Sequence, residues 1–298
     1  MSRRIALLVN PTSGRGRGRR AGAQAAAALR AGGLAVDVLT GSDIAEAREL
    51  AAGAVALGYD AVVAVGGDGM VNLVLQAVAG TSVPLGIVPA GSGNDFARAL
   101  GLTPNDAPAA AKVIAAGHLR TVDAALAGDR WYAGVLSAGF DSNVNERANA
   151  MTWPRGPARY NVAIVAELRV FRPVTFSVVL DGRALEQEAM LVAVGNATSY
   201  GGGMRVCPGA LLDDGQLSVT VLGRVSKAEF LRVFPRVYKG THVSHPAVSV
   251  HTAATVGLDA AGVVAYADGE YVGPLPVRIA AVPSALNLLV PAASWPAD

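Results

Sequence analysis

The stretch VVAVGGDGMVNLVLQAV, residues 62–78, decides the fold. A continuous apolar run breaks into Gly66-Gly67-Asp68-Gly69, and a helical pattern of apolar residues follows at once. A buried strand turning directly into a helix is one β-α step of a parallel sheet covered on both faces. Glycines at such a turn let backbone amides close around an anion, and the next helix adds its positive end. A carboxylate there repels phosphate unless a cation intervenes, so Asp68 points to Mg2+. A helix cap is its other use.

The same step repeats on either side. Apolar strands at 5–9, 34–39, 61–65 and 83–88 alternate with helical stretches at 19–31, 43–57, 70–79 and 94–100. Ligands of such sheets sit at the carboxyl ends of the strands, where the loops here are rich in glycine. After about residue 125 the texture becomes β-rich. Val174, Phe176, Val178 and Leu180 alternate with Thr175 and Ser177, and Asp181-Gly182 is a hairpin signal. Strand-like runs follow at 190–194, 217–222, 248–250, 262–267 and 276–282, with helical stretches at 157–171 and 226–239. The expected architecture is an α/β nucleotide domain on a parallel sheet, joined to a second, β-sandwich-like domain.

Composition narrows the classes of function. The 298 residues are 52% hydrophobic and 16% charged, enough for a large core and contrary to disorder. A net charge of +2 is too balanced to argue for nucleic acid. The single cysteine, Cys207, excludes an internal disulfide framework and fits a reducing, cytoplasmic setting. No apolar run approaches the roughly 18 residues of a membrane span, which leaves contact with a membrane surface open. The sequence does not set the oligomeric state, and a homodimer is compatible with it.

Four loops carry the chemistry. NPTSGRGRG (10–18) follows the first strand, and its glycines suit a nest of N–H groups facing an anion. Inside it, Gly16-x-Gly18-x-x-Ala21 with Asp37 further on is a weak dinucleotide fingerprint, displaced from the strand end. GGDGMVN (66–72) is the second loop and PAGSGNDFARALG (89–101) the third, where Ser92 offers a hydroxyl and Asn94 or Asp95 a cap. Lys112, Lys227 and Lys239 are the only lysines and lie outside these loops, so this is not a Walker-type NTPase. Arg15, Arg17, Arg19 and Arg20 crowd the first loop, as phosphate contacts or as a solvated turn. The fourth, YADGEYVG (266–273), is above all a hairpin, in which Glu270 matters if a nucleophile needs a base.

Taken in order, NPTSG (10–14), GGDG with Asn72, GSGNDFAR (91–98), the segment 195–219, KGTHVSHPAV (239–248) and DGE (268–270) resemble the diacylglycerol kinase catalytic family, especially its soluble bacterial lipid kinases. The resemblance spans nearly the whole chain. It implies an ATP-binding α/β domain over 1–125, resembling those of NAD kinase and phosphofructokinase, to which about 284–298 returns. A lipid-substrate domain over 126–283 would complete it, with ATP in the cleft between the two. ATP contacts would come from Asn10, Pro11, Thr12, Ser13, Gly14, Thr40, Gly66, Gly67, Asp68, Gly69, Met70, Val71, Asn72 and Ser92. Glu270 matches the family's proton acceptor, with Asp268 beside it as partner or substitute and Asp68 as a third catalytic carboxylate. A structural Mg2+ would sit at Asp214, with carbonyl oxygens of Leu211 and Gln216; Asp213 could assist. His242 and His245 are polar core or hinge residues, their spacing unsuited to zinc.

The implied reaction is transfer of the ATP γ-phosphoryl group to a lipid hydroxyl at a membrane surface. Apolar residues such as Trp153, Tyr160, Ile164, Val165, Leu168 and Phe171 would form a lipid tunnel or docking face, or simply a helix packed on the sandwich. An NAD kinase-like enzyme is the catalytic alternative. A nucleotide- or lipid-binding regulator is the other, because Met70 stands where relatives usually have threonine.

Overall fold

The computed structural model describes residues 2–154 and 157–292. Residues 293–298 of the expected returning segment lie outside them. The chain divides into two compact units, Met1–Ala124 with Val282–Asp298, and Ala125–Ala281.

The first unit alternates β1 (Arg4–Val9), α1 (Ser13–Ala31), β2 (Ala35–Leu39), α2 (Ile44–Ala56), β3 (Ala61–Gly66), α3 (Asp68–Val78) and β4 (Leu85–Pro89). Then come α4 (Asp95–Ala99), α5 (Ala107–Ala116) and the start of β5 (Leu119–Ala127). The strands run parallel in the order β4-β3-β1-β2. Residues of β3 and β4 are buried throughout, as continuous apolar runs in a doubly covered sheet require. Ile5, Leu7, Val63, Val65 and Val88 pack with Ala25, Ala26 and Leu29 of α1 and Ala110, Ala111 and Ile114 of α5. Each fully buried large side chain contributes about 1.5–3 kcal/mol. The small alanines let both helices lie close on the sheet.

The second unit holds β6 (Arg130–Tyr132), β7 (Val135–Gly139), α6 (Phe140–Ala150), α7 (Pro157–Val170), β8 (Val174–Leu180), β9 (Arg183–Gly195), β10 (Leu217–Gly223) and α8 (Lys227–Val233). Two 3-10 turns, Phe234–Lys239 and Thr241–Ser244, lead to β11 (Val248–Ala253), β12 (Thr255–Asp259), β13 (Val264–Ala267), β14 (Glu270–Pro274) and β15 (Val277–Leu289). Its strand pairs are antiparallel. The long β9 pairs with β8 through its first half and with β7 and β10 through its second, so one strand ties the unit together. The far end of β15 belongs to the first unit, where Leu288 pairs in parallel with Leu85 of β4.

Both Asp-Gly hairpins form as their turn chemistry requires. Asp181-Gly182 and Asp268-Gly269 have positive φ at both residues, 47° and 85°, then 52° and 82°. The expected helix over 226–239 stops at Val233 and continues as a 3-10 turn, since Pro235 cannot donate to a regular α ladder. Helices α5 and α6 and strands β5 to β7 go beyond the sequence reading. In α7, Leu168 is buried while Tyr160 and Val165 are exposed; beyond its end, Phe171 is buried. Trp153 is 80% exposed. Among the described residues no helix is long and apolar enough to cross a membrane.

Candidate active site

In the first unit the three glycine-rich loops at the ends of β1, β3 and β4 are fused into one backbone assembly. Asn10 begins it: its Oδ1 accepts from the Thr12 N–H at 3.1 Å and the Thr12 hydroxyl at 2.8 Å. Gly14, Arg15 and Gly16 then take successive positive φ values of 58°, 63° and 91°. Glycine at 14 is needed twice over, because a Cβ there would also stand 2.1 Å from the Ala90 carbonyl oxygen. Asn10 N–H donates to Val65 O at 3.0 Å, and Ala90 N–H to Gly66 O at 2.7 Å. A Cβ on Gly91 would lie 2.3 Å from the Gly67 Cα. Much of the glycine content therefore serves loop-on-loop contact. Arg17 crosses the same junction, donating from Nε to Gly14 O at 2.9 Å and from Nη2 to Gly91 O at 3.1 Å.

Asp68 is the joint between the second and third loops. Its Oδ2 accepts the Asn94 N–H and its Oδ1 the Asp95 N–H, both at 2.8 Å. The carboxylate thus caps α4, while its own helix α3 has Gly67 as N-cap and no side-chain cap. Buried Asn94, at φ 59°, closes the third loop by pairing its side-chain amide with both the N–H and the C=O of Gly91. Pro11 and Thr40 line a groove with Val38, Arg19 and Arg30, and Ser92 is exposed. Met70, Val71 and Asn72 are buried in α3, and the Met70 and Val71 amides donate to Gly67 O. The open part of the second loop is Gly67-Asp68-Gly69.

The weak dinucleotide fingerprint does not survive. Asp37, its acidic member, accepts from the Tyr59 hydroxyl at 2.7 Å and from Arg4 at 3.3 Å. Tyr59 foremost, with Arg4, holds that carboxyl below its ordinary range.

In the second unit the Asp-Gly-Glu hairpin separates two carboxylates by role. Asp268 Oδ2 accepts the Ala133 N–H at 3.1 Å, and Oδ1 accepts those of Gly134 and Val135 at 3.0 and 3.1 Å. This side chain anchors the hairpin to the segment entering β7. Glu270, at the first position of β14, is exposed. At the expected metal turn, Asp214 is exposed and its Oδ1 accepts the Gln216 N–H at 2.9 Å. One carboxylate with carbonyls of Leu211 and Gln216 on a short turn is an all-oxygen donor set, which suits Mg2+ with several waters retained. Among the described residues no three His, Cys, Asp or Glu side chains gather into a metal-holding group. His242 is buried with Nε2 3.1 Å from Val206 O, and His245 pairs with Glu229 at 3.2 Å.

Sequence reasoning named Ile164 and His242 separately but not the cluster they join. Phe140, Ile164, Leu191, Leu222, Phe230 and Phe234 line an apolar cavity that Asp141, Tyr200, Thr220 and His242 also border. Ser137 Oγ donates to Asp141 Oδ2 at 2.8 Å, and Tyr200 bonds the same carboxyl. Burial pushes the Asp141 pKa up, and that of Tyr200 well up. Nothing in the plain string SAGFDSN announces this grouping, which α6 and β7 create together.

Glycine loops at the carboxyl ends of parallel strands mark an enzyme that handles phosphate esters. Comparison with known proteins fixes the class. Residues 4–127 match the diacylglycerol kinase catalytic domain, and 134–290 match the YegS C-terminal NAD kinase beta sandwich-like domain. A Mycobacterium tuberculosis (strain ATCC 25618 / H37Rv) protein named diacylglycerol kinase is 44% identical over 294 residues, covering 97% of this chain and 95% of the relative. One from Staphylococcus aureus (strain MRSA252), with the same name, is 28% identical over 295 residues, covering 98% and 93%. The chain belongs to the diacylglycerol kinase catalytic family and is a lipid kinase. A solved structure of a diacylglycerol kinase from Bacillus anthracis str. Sterne shares the fold, with a TM-score of 0.74 at 21% identity over 97% of each chain.

Proposed function

We propose that the protein transfers the γ-phosphoryl group of ATP to the free hydroxyl of diacylglycerol or a closely related neutral lipid, at the cytoplasmic face of a membrane. The observation that carries this reading is the division of labour in the 268–270 hairpin. Asp268 is occupied by three backbone amides, while Glu270 keeps an exposed carboxylate at the start of the strand that follows.

Phosphoryl transfer needs mainly positioning and charge neutralisation. The fused loops of the first unit supply positioning: Asn10 to Gly14, Gly66 to Gly69 and Ser92 offer amides and hydroxyls, and Thr40 with Pro11 borders the groove beside them. Asp68 keeps the second and third loops at one spacing. Asp214 with the Leu211 and Gln216 carbonyls would provide oxygen ligands for a structural Mg2+, and Mg2+ bound with the nucleotide would supply charge neutralisation at the phosphates. Glu270 accepts the hydroxyl proton as the new O–P bond forms, a role worth about 10²–10⁴-fold. The apolar cavity takes lipid hydrocarbon, and exposed Trp153, Tyr160 and Val165 give the second unit an apolar surface toward the bilayer.

Radiolabelled ATP incubated in parallel with diacylglycerol vesicles and with NAD tests the reading. Label in phosphatidic acid supports it; label in NADP, or in neither, overturns it.

A further inference from the structure

The arginines crowded after the first strand differ in what holds them. Arg15 lies on the exposed kink at φ 63°, Arg19 borders the groove with Arg30, and Arg20 is exposed. Arg17 is fastened to two loops at once, by Nε to Gly14 O at 2.9 Å and by Nη2 to Gly91 O at 3.1 Å. The glycines on either side bring it there. Gly16 turns the chain at φ 91°, and a Cβ on Gly18 would stand 1.9 Å from Asn10 O.

Nε–H and one Nη2–H lie along one edge of the planar guanidinium, and the two carbonyls take that edge. Two of its five N–H donors are thus used, leaving three on Nη1 and the far side of Nη2. Those three form the end of the fork that matches two oxygens of a phosphate. Among the described residues Arg17 has no further hydrogen bond and no carboxylate partner. Asp68, on the neighbouring loop, gives its oxygens to the amides of Asn94 and Asp95. The regular part of α1 begins at Arg17, with no acidic residue in the first turn. A cation at the positive end of a helix is unfavourable until an anion answers it.

We infer that Arg17 binds the polyphosphate chain of the nucleotide, presenting its free N–H edge to the phosphate oxygens. The inference rests on the lipid-kinase reading and deepens its nucleotide site. Arg17 supplies the fixed positive charge that lysine supplies in a Walker-type loop, and the lysines of this chain lie outside the glycine loops. The two carbonyls orient the guanidinium before any ligand arrives, so little side-chain freedom is lost on binding. One side chain thus sets both the charge of the site and the contact between its first and third loops.

Calorimetric titration with ATP, ADP and adenosine, at low and at high salt, tests this without relying on turnover. Arg17→Gln removes the charge and keeps an amide donor for the carbonyls. It should bind ATP and ADP at least about tenfold more weakly than the wild type, and adenosine within about twofold. Wild-type ATP affinity should fall with added salt, and Arg17→Gln should flatten that dependence, which a purely structural strut would not do. Arg17→Lys, which keeps the charge and loses the fork, should bind ATP at least about threefold more weakly than the wild type but better than Arg17→Gln. Arg20→Gln, the same charge change one turn further along α1, should leave ATP affinity unaltered. Wild-type ATP affinity in Arg17→Gln, an equal loss for adenosine, an unchanged salt dependence, or the same loss in Arg20→Gln would each overturn the proposal. If Arg17→Gln fails to fold, Arg17→Lys decides: wild-type ATP affinity there, or a matching loss for adenosine, overturns the assignment. Lipid phosphorylation by the wild type, measured separately, tells failure of this inference from failure of the kinase reading.

Discussion

Gly134 donates its N–H to Asp268 Oδ1 at 3.0 Å, and no side chain fits between them: a Cβ at position 134 would stand 2.3 Å from that oxygen. At Asp68, which accepts from Asn94 and Asp95, the neighbouring Gly93 makes the same room: a Cβ there would stand 2.6 Å from Oδ2. Each unit thus holds an acidic residue closed over adjacent backbone amides and a glycine that makes room for it. Gly134→Ala should lower stability by about 1–3 kcal/mol, as an overpacked site does. Thermal unfolding checks this, and an unchanged midpoint would contradict the clamp.

Asp68→Ala removes the partner of two consecutive amides at the start of α4. Loss of such a cap costs about 0.5–2 kcal/mol, a shift of a few degrees that leaves the chain folded. The larger effect falls on the loops, whose spacing Asp68 sets. ATP KM should rise at least about tenfold, equivalent to 1.4 kcal/mol, and turnover should nearly vanish. A near-wild-type ATP KM would show that the joint is dispensable.

Met70 sits at 7% exposure, with its N–H bound to Gly67 O. Met70→Thr therefore places a hydroxyl where an apolar side chain packs and should cost about 1–3 kcal/mol of stability. ATP KM should not fall. A lower KM on this substitution would instead mean that the hydroxyl reaches the nucleotide.

Burial holds the His242 pKa below its ordinary value of 6.5. The unfolded chain then binds the proton more readily than the folded one. The stability this residue confers is fully present above about pH 6.5 and is lost as pH falls through the lower folded-state value. Denaturant titrations from pH 7.5 to 5 should show a decline that His242→Phe flattens. An equal decline in both proteins would assign the effect elsewhere.

The first unit was readable because its elements repeat one rule. Valine-rich runs buried on both faces are strands, and each ends in glycine before a helical period begins. The loops were recognisable too, but not what their glycines do, since the approach of Gly91 to Gly67 joins segments distant in sequence. Strands β5 to β7 resisted because LRTVDAALAGDRWYAGVLSAG is rich in alanine and glycine, poor strand formers that long-range pairing with β9, β13 and β15 overrides. For the same reason the sequence offers Asp68 as a Mg2+ residue or helix cap and Asp268 as a partner of Glu270, and nothing near either one shows the amides at 94–95 or 133–135 that claim them. Glu270 stood out only through its place in the hairpin, and its exposure sharpens the contrast with Asp268.

Steady-state phosphorylation of diacylglycerol by Glu270→Ala, beside the wild type at saturating ATP, tests the account most directly. Because Glu270 is exposed, the midpoint of thermal unfolding should stay within about 1 °C of wild type, since surface substitutions usually cost little. Turnover should fall about 10²–10⁴-fold, the contribution of a positioned base. Turnover close to wild type in a folded Glu270→Ala protein would contradict the account.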